Sequence, residues 1–284
     1  MSSLDPFAEL AAPPAENMED MRLLLDLVHE RTGLDFRAYA YSSLRRRVAR
    51  AIAEADAGTI LALHQRLRSD DSLLANLVRV LTVHTTSMFR DPAFFLAFRQ
   101  KVVPVLRTYP FLRLWVAGCS TGEEVYSLSI LLHEEGLKDR CRIYATDVSE
   151  TVLQNARSGI FPLNAMQEYS RNHQLAGGTA SFADYFTADS ESVIFRQHLR
   201  DQVVFGTHNL VSDASFNEFN VILCRNVMIY FQRELQEKVH RLFHGSLGMF
   251  GYLGLGRSET VRFAGIGPCY EALDTRERLF RKIK

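Results

Sequence analysis

Gly118-Cys-Ser-Thr-Gly122, followed at once by Glu123 and Glu124, is the stretch of this chain best placed to bind a ligand. An apolar run, Leu114 to Ala117, precedes it, and a helical pattern, EEVYSLSILLHE, begins at the glutamates. Strand, glycine turn and helix is the order in which an α/β sheet seats a ligand on a helix N-terminus. Two glycines at this spacing are not the three of a dinucleotide fingerprint. Glu123 stands where a phosphate-binding loop needs lysine. Carboxylates suit the positive end of a helix but repel a pyrophosphate. A cofactor with positive charge and no phosphate fits the residues better. S-adenosylmethionine, with an α-ammonium, a sulfonium and a ribose, has that profile. Asp147 ends the next strand-like run, IYATD, where an acidic residue holds a ribose diol. Taken alone, the two glutamates could equally satisfy first-turn donors, and Asp147 could equally cap a helix.

No Ser/His/Asp or Cys/His constellation stands out, so nucleophilic catalysis by the chain has no visible machinery. His240 and His244 lie four apart on a helical run, but no third ligand follows them, and no metal is expected. The four cysteines are widely spaced and form no CxxC, which reads as buried reduced thiols.

These residues need a scaffold, and the pattern supplies one. From Leu112 onward, strand-like LRLWVA, CRIYATD, QVVFGTH, FNVILCRN and MFGYLGLG alternate with helical EEVYSLSILLHE, SETVLQNARSG and QRELQEKVHRLFHGS. Alternation of this kind means a mostly parallel sheet with helices on both faces. Between about 162 and 201 the alternation breaks, and a small inserted subdomain is expected, with SVIFRQHLRD as a strand pair. Residues 18–108 read as all-helical, with a stop at Gly33, a basic amphipathic helix ending near Gly58, and Asp91 capping a helix that opens on Pro92. Pro104 is expected to kink or end that helix. Residues 1–17 lack periodicity and read as a flexible tail. The expected domains are therefore 18–108, a helical domain with a linker helix, and 109–284, α/β.

The ordered segments HTTSMFRDPAFF (84–95), AGCSTGEEVYSLSILL (117–132), IYATDVSETVLQNARSGIF (143–161), NL (209–210), FNVILCRNVMIYF (219–231) and LFHGSLGMFGYLGLGRSE together resemble one family, the CheR-type chemoreceptor glutamate methyltransferases. The resemblance runs from about residue 18 onward. It implies a Rossmann-like S-adenosylmethionine-dependent methyltransferase domain with a small inserted β-subdomain, preceded by an all-helical N-terminal domain. The implied reaction esterifies glutamate side chains on the cytoplasmic helices of methyl-accepting receptors and leaves S-adenosylhomocysteine. Carried over position by position, the implied cofactor contacts are His84, Thr86, Arg90, one of Glu123 and Glu124, Asp147, Asn209, Leu210, Arg225 and Asn226. His84 stands where relatives carry asparagine. Arg90 and Tyr230 are the expected catalytic pair, one orienting a carboxylate and the other walling the transferred methyl. Some family members dock a receptor's C-terminal pentapeptide through a glycine-rich loop of the inserted subdomain. YFTADSESVIFRQ has no glycine, so that tether is not expected here.

The basic helix carries Arg45, Arg46, Arg47 and Arg50. By itself it reads as a solvated face. Under the resemblance, whose substrates are acidic helices, Arg46, Arg47 and Arg50 become the expected substrate contacts. Lys+Arg 33 balance Asp+Glu 33, so no general polyanion binding, and no nucleic acid partner, is expected. No signal-like segment or membrane-length apolar run is visible, and a cytoplasmic protein is expected. The competing expectation is an idle cofactor-binding scaffold of a chemosensory pathway. The retention of Arg90, Asp147, Arg225, Asn226 and Tyr230 speaks against it.

Overall fold

The computed structural model describes residues 17–262 and 265–284. The expected tail lies outside the described residues, apart from Asn17, which opens the first helix. The chain divides into two units, the first ending at Val83 and the second starting at His84.

The first unit is helical. Helix α1 (Asn17–Thr32) buries Met21, Leu24, Leu25 and Val28 as one stripe and ends at Gly33, whose φ of +73° suits glycine. Helix α2 (Tyr41–Ala55) buries Leu44, Val48 and Ala51. Thr59 and Asp70 cap α3 (Ile60–Leu67) and α4 (Asp71–Leu81) by accepting the N–H of Ala62 and Leu73 at 3.1 and 2.9 Å. Arg47 is not the exposed substrate contact the resemblance implied. It is buried, and its guanidinium donates to Leu81 O (2.5 Å) and Ser43 Oγ (2.9 Å), tying the end of α4 to α2. Its place three residues after Leu44 and four before Ala51 puts it on the core stripe. Arg46 and Arg50 are exposed, and Arg50 pairs with Glu54 at 2.7 Å.

The second unit is built on a seven-stranded sheet in the order β6-β2-β1-β7-β8-β10-β9. Strands β1 (Leu112–Ala117), β2 (Cys141–Asp147), β6 (Val203–Thr207), β7 (Phe219–Cys224) and β8 (Leu247–Leu255) pair in parallel, as the alternation predicts. Helices α7 (Glu123–Glu134), α8 (Glu150–Ser158) and α10 (Arg233–Ser246) are the crossovers. A C-terminal antiparallel hairpin, β9 (Tyr270–Asp274) and β10 (Leu279–Lys282), extends the sheet beyond β8 and was not anticipated.

The expected boundary at 108/109 falls instead at 83/84. Helices α5 (Pro92–Lys101) and α6 (Val103–Leu106) belong to the sheet unit because Phe94, Phe95, Phe98, Val103 and Leu106 join its core. The helix does stop just short of Pro104 and resumes as a single short turn.

The inserted region forms a three-stranded sheet, β3 (Ile160–Pro162), β5 (Ser192–Phe195) and β4 (Phe186–Ala188), with β5 in the middle. SVIFRQHLRD is thus one strand and a following 3-10 turn, not a strand pair. Helix α9 (Met166–Leu175) completes the subdomain. One buried carboxylate ties it to the sheet core. Glu134 accepts from Arg99 of α5, His173 of α9 (2.9 Å), Tyr185 (3.0 Å) and the N–H groups of Thr179 and Ala180. Burial pushes that carboxyl up, but the bond from His173 and the charge of Arg99 outweigh it and hold it at about 2. No described helix is long and apolar enough to cross a membrane.

Candidate active site

The strand order reverses around β1: the chain moves out to β2 and β6 on one side and returns to β7 on the other. Ligands of open α/β sheets bind at the C-terminal ends of the strands at such a switch point. Two turns meet there, one after β1 and one after β7. They touch closely: a Cβ on Gly118 would lie 2.6 Å from Val227 Cγ2.

The turn after β1 is folded by β2. The N–H groups of Gly118 and Cys119 both donate to Thr146 O (2.8 and 2.9 Å), and Ser120 N–H donates to Asp147 Oδ2 (2.9 Å). Gly118 and Ser120 take positive φ, +73° and +51°. Gly122, at +99°, lets α7 approach α8, since a Cβ there would meet Ala156 Cβ at 2.9 Å. The other oxygen of Asp147 accepts Ser149 N–H at 3.1 Å, at the start of α8. Each Asp147 oxygen thus takes one backbone donor among the described residues, and a carboxylate can accept about four. The Ser120 hydroxyl is buried and has no partner among the described residues. Burial, followed by the charge of Asp147, pushes the Cys119 thiol well up, which leaves it an inert packing group.

The two glutamates part company. Glu123 is buried and accepts from Thr121 Oγ1 at 2.6 Å, and burial pushes its carboxyl up. Glu124 turns to the β7 side and accepts from Arg225 Nη1 at 2.7 Å, its side chain 15% exposed.

Arg225 is the hub of the second turn. Its side chain is 1% exposed, donates to Glu124, Arg90 O (3.0 Å) and Asp91 Oδ2 (2.9 Å), and lies 4.2 Å over the Phe94 ring. Asp91 takes the position before Pro92, as expected, but its side chain caps nothing. It lies in the left-handed region, φ +55°, because Arg225 and, at 3.7 Å, Arg257 draw it away from the helix. Arg90 therefore sits between two strained residues, Phe89 (+50°) and Asp91 (+55°). Phe89 N–H is held by Ser127 Oγ at 2.8 Å, and Arg90 itself donates to Thr85 O at 3.1 Å. Thr86, His84 and Arg90 are half-buried on this 84–91 segment.

Asn226, φ +61°, follows Arg225. Its N–H donates to Glu259 Oε2 (3.0 Å), while Val227 and Met228 N–H donate to Glu259 Oε1 (3.0 and 2.8 Å). Tyr230 closes the 3-10 turn Met228–Tyr230 and is half-buried. On the far side, β6 ends beside β2, with His208 N–H donating to Asp147 O at 3.1 Å. Asn209 Oδ1 accepts Val211 N–H (2.9 Å), and Leu210 is buried.

The structure thus gathers Arg90, Glu124 and Arg225 in one cluster and sets Asp147 beside Asn209. Asp91, read in the sequence only as a helix cap, shapes the same crevice, as do Ser120, Ser127 and Glu259, which the sequence did not single out. The bonds that bring them there span 27 to 134 residues of chain, so only folding reveals them. His240 is buried and its imidazole is held down at about 4 by burial, and no group of potential metal ligands occurs among the described residues. Cys119, Cys141, Cys224 and Cys269 are free thiols.

Acidic groups that flank a glycine turn, spare acceptors on Asp147 and an orphan buried hydroxyl fit a cationic, ribose-bearing cofactor. Comparison with known proteins agrees. Residues 84–267 match the model for the CheR methyltransferase SAM binding domain, and residues 19–82 match that for the CheR methyltransferase all-alpha domain. The chain is 44% identical over 263 residues to Cher3 of Pseudomonas putida, across 93% of this chain and 96% of that one. It is 32% identical over 256 residues to the chemotaxis protein methyltransferase of Salmonella typhimurium, across 84% of this chain and 82% of that one. Among solved structures, SAM-bound CalS10, an amino pentose methyltransferase from Micromonospora echinaspora, aligns with 60% of this chain and 50% of its own at 13% identity and a TM-score of 0.35.

Proposed function

Since the chain belongs to the CheR methyltransferase family, with S-adenosylmethionine as its cofactor, we propose that it methylates glutamate side chains on the cytoplasmic helices of chemoreceptors. The observation that carries this reading is the crevice itself: carboxylates and an orphan hydroxyl suited to a cationic cofactor. Methyl transfer from a sulfonium suits a substrate that is already a nucleophile. A glutamate is ionised near neutral pH and qualifies.

The cofactor supplies a methyl group on a sulfonium. A substrate carboxylate oxygen forms the new C–O bond as the C–S bond breaks, its electron pair stays on sulfur, and no proton moves. The chain's contribution is alignment and partial exclusion of water, which are effects worth several kcal/mol in reactions of this kind.

In this reading Asp147 accepts from the ribose hydroxyls with its remaining lone pairs. Asn209 and Leu210 flank the same side. Glu124, the more open of the two glutamates, faces the cofactor's cationic end. Thr86, His84 and Asn226 contact it from the rims, and Arg90 orients a carboxylate. Arg225 holds Glu124, Asp91 and Arg90 O through its two terminal nitrogens, and its Nε, buried with no partner among the described residues, remains for the cofactor. Tyr230 walls the methyl. In the helical unit Arg46 and Arg50, both exposed, steer the acidic receptor helix. Arg47 holds the helical core instead.

The inserted sheet offers the pentapeptide tether little. Its β4–β5 turn is closed by Asp189, which accepts Glu191 and Ser192 N–H at 2.9 and 2.7 Å, with no glycine in the turn.

The deciding experiment is transfer of tritiated methyl to membranes carrying the cognate receptors, followed by mild base. Release of labelled methanol is expected, as for a methyl ester. Label that survives base would place the methyl on nitrogen or on an ether oxygen and refute the glutamate assignment. For the steering helix, Arg46→Glu with Arg50→Glu is expected to raise the receptor KM and flatten its salt dependence. Unchanged receptor kinetics would remove the helix from the substrate surface.

A further inference from the structure

Four backbone N–H groups converge on Glu259. Three come from consecutive residues after β7: Asn226 at 3.0 Å, Val227 at 3.0 Å and Met228 at 2.8 Å. The fourth is Gly256, just past β8, at 2.6 Å. The carboxylate is 5% exposed. Gly256 is needed for the approach, because a Cβ there would lie 2.8 Å from Asn226 N, from Asn226 Nδ2 and from Glu259 Oε2.

We propose that Glu259 is a positioning residue for methyl transfer: by gathering these N–H groups it fixes the turn that presents Asn226 to the cofactor and Tyr230 to the methyl. The proposal rests on the reading of Asn226 as a cofactor contact.

The chemistry is specific to a carboxylate. Asn226 has a positive φ, and consecutive amides that point one way leave donors the strand cannot satisfy. A buried N–H without an acceptor is costly, and an anion meets several at once. Glutamine has the same shape but turns one acceptor oxygen into a donor. It would face two of the four N–H groups with an N–H of its own. Glu259 accepts from these backbone N–H groups, so its effect on binding is assigned to Asn226 and the turn.

The test is a double-mutant cycle on S-adenosylhomocysteine affinity, by calorimetry on the full chain. Asn226→Ala, Glu259→Gln and the double variant are compared with the parent. Glu259→Gln is expected to weaken binding about tenfold or more, as Asn226→Ala does. The double variant is expected to be little worse than Asn226→Ala alone, because one residue acts through the other. A residue that only adds global stability would lower the melting temperature and leave the affinity of the folded protein alone. Additive losses, or full affinity in folded Glu259→Gln, overturn the proposal while the site reading stands. If Asn226→Ala binds as the parent does, the site reading itself falls, and the proposal with it. Should Glu259→Gln not fold, Gly256→Ala pushes on Asn226 with the carboxylate intact. Unchanged affinity there overturns the proposal, and a loss that disappears in the Asn226→Ala background supports it.

Discussion

The turn after β1 and the turn after β7 line the same crevice, yet they are held in opposite ways. Asp147 pins the first with one backbone N–H bond, from Ser120, and its other oxygen takes Ser149 N–H at the start of α8. Glu259 pins the second with four, and Arg225 adds bonds to Glu124, Asp91 and Arg90 O. A carboxylate has about four acceptor positions. Glu259 is therefore full and Asp147 is half used. Full groups build walls, and half-used groups have capacity left for a ligand. The same contrast separates Arg47, spent on its own core, from exposed Arg46 in the helical unit.

The hardest way to break the contrast is at Arg225. Arg225→Ala takes from Glu124 the cation it pairs with and leaves Asp91 with Arg257, at 3.7 Å, beside a strained backbone. Removing one partner of a buried ion pair costs about 3–5 kcal/mol. Urea unfolding is expected to show a loss of that order. A loss under about 1 kcal/mol would mean that the β7 turn holds itself without the arginine.

Acid sharpens the contrast by setting two full carboxylates against each other. Glu134 has the cationic Arg99 among its donors and is held at about 2, against an ordinary 4.5. Its folded pKa is depressed, so its stabilisation is present above 4.5 and drains as pH falls towards 2, to a total of about 3 kcal/mol. Glu259 has only neutral backbone donors, and burial pushes it up in spite of them. It takes its proton first on acidification. Because a raised carboxyl binds its proton more tightly in the folded state, that protonation relieves burial instead of lowering global stability. What suffers is the geometry of the β7 turn. Cofactor affinity is therefore expected to decline at a higher pH than the one at which hydrogen exchange of residues 160–195 accelerates. The reverse order would contradict the roles given to both groups.

Asp147 is the next test, from the half-used side. Asp147→Ala is expected to lower cofactor affinity at least tenfold, since hydrogen bonds to a charged group are worth about 1.5–3 kcal/mol each. It also frees the buried Ser120 N–H and the half-buried Ser149 N–H, at a cost of about 1–3 kcal/mol for each that finds no new acceptor, and the seven-stranded core is expected to survive it. Calorimetry with S-adenosylhomocysteine decides it. A folded variant with the parent's dissociation constant would show that the spare lone pairs of Asp147 serve no ligand.

Much of the scaffold was legible because period and punctuation carry it. The β1 turn, α7, β2 and Asp147 could be read in order, since strand, glycine and helix each have a local signature. The α5 boundary could not. A helical period tells which face is apolar, not which core it joins, although the cluster Phe94, Phe95 and Phe98 fits a large core better than a small bundle. Arg47 was legible in principle, as its spacing from Leu44 and Ala51 sets it on the buried stripe. Arg225 and Glu259 were not. One was placed in the site by resemblance but not as a hub, and the other passed as part of GRSE. Apart from the bond from Gly256 to Glu259, their roles exist in bonds to residues 31 or more positions away.

The smallest expected effect belongs to a residue outside both turns. His84 lies half-buried on the 84–91 segment that leads into α5. If methyl transfer needs no base, His84→Asn keeps the polar rim and turnover stays within about twofold of the parent. The pH dependence gives an independent check. A substrate glutamate is ionised well below pH 6, so the rate between pH 6 and 8 has no reason to climb steeply. A histidine base would impose such a climb, because its neutral form disappears as pH falls through about 6.5. A steep limb in the parent that vanishes in His84→Asn, with cofactor affinity intact, would put a proton transfer into a reaction that needs none. The crevice would then be more than two turns and an alignment, and the division between filled and open groups would have to be redrawn around His84.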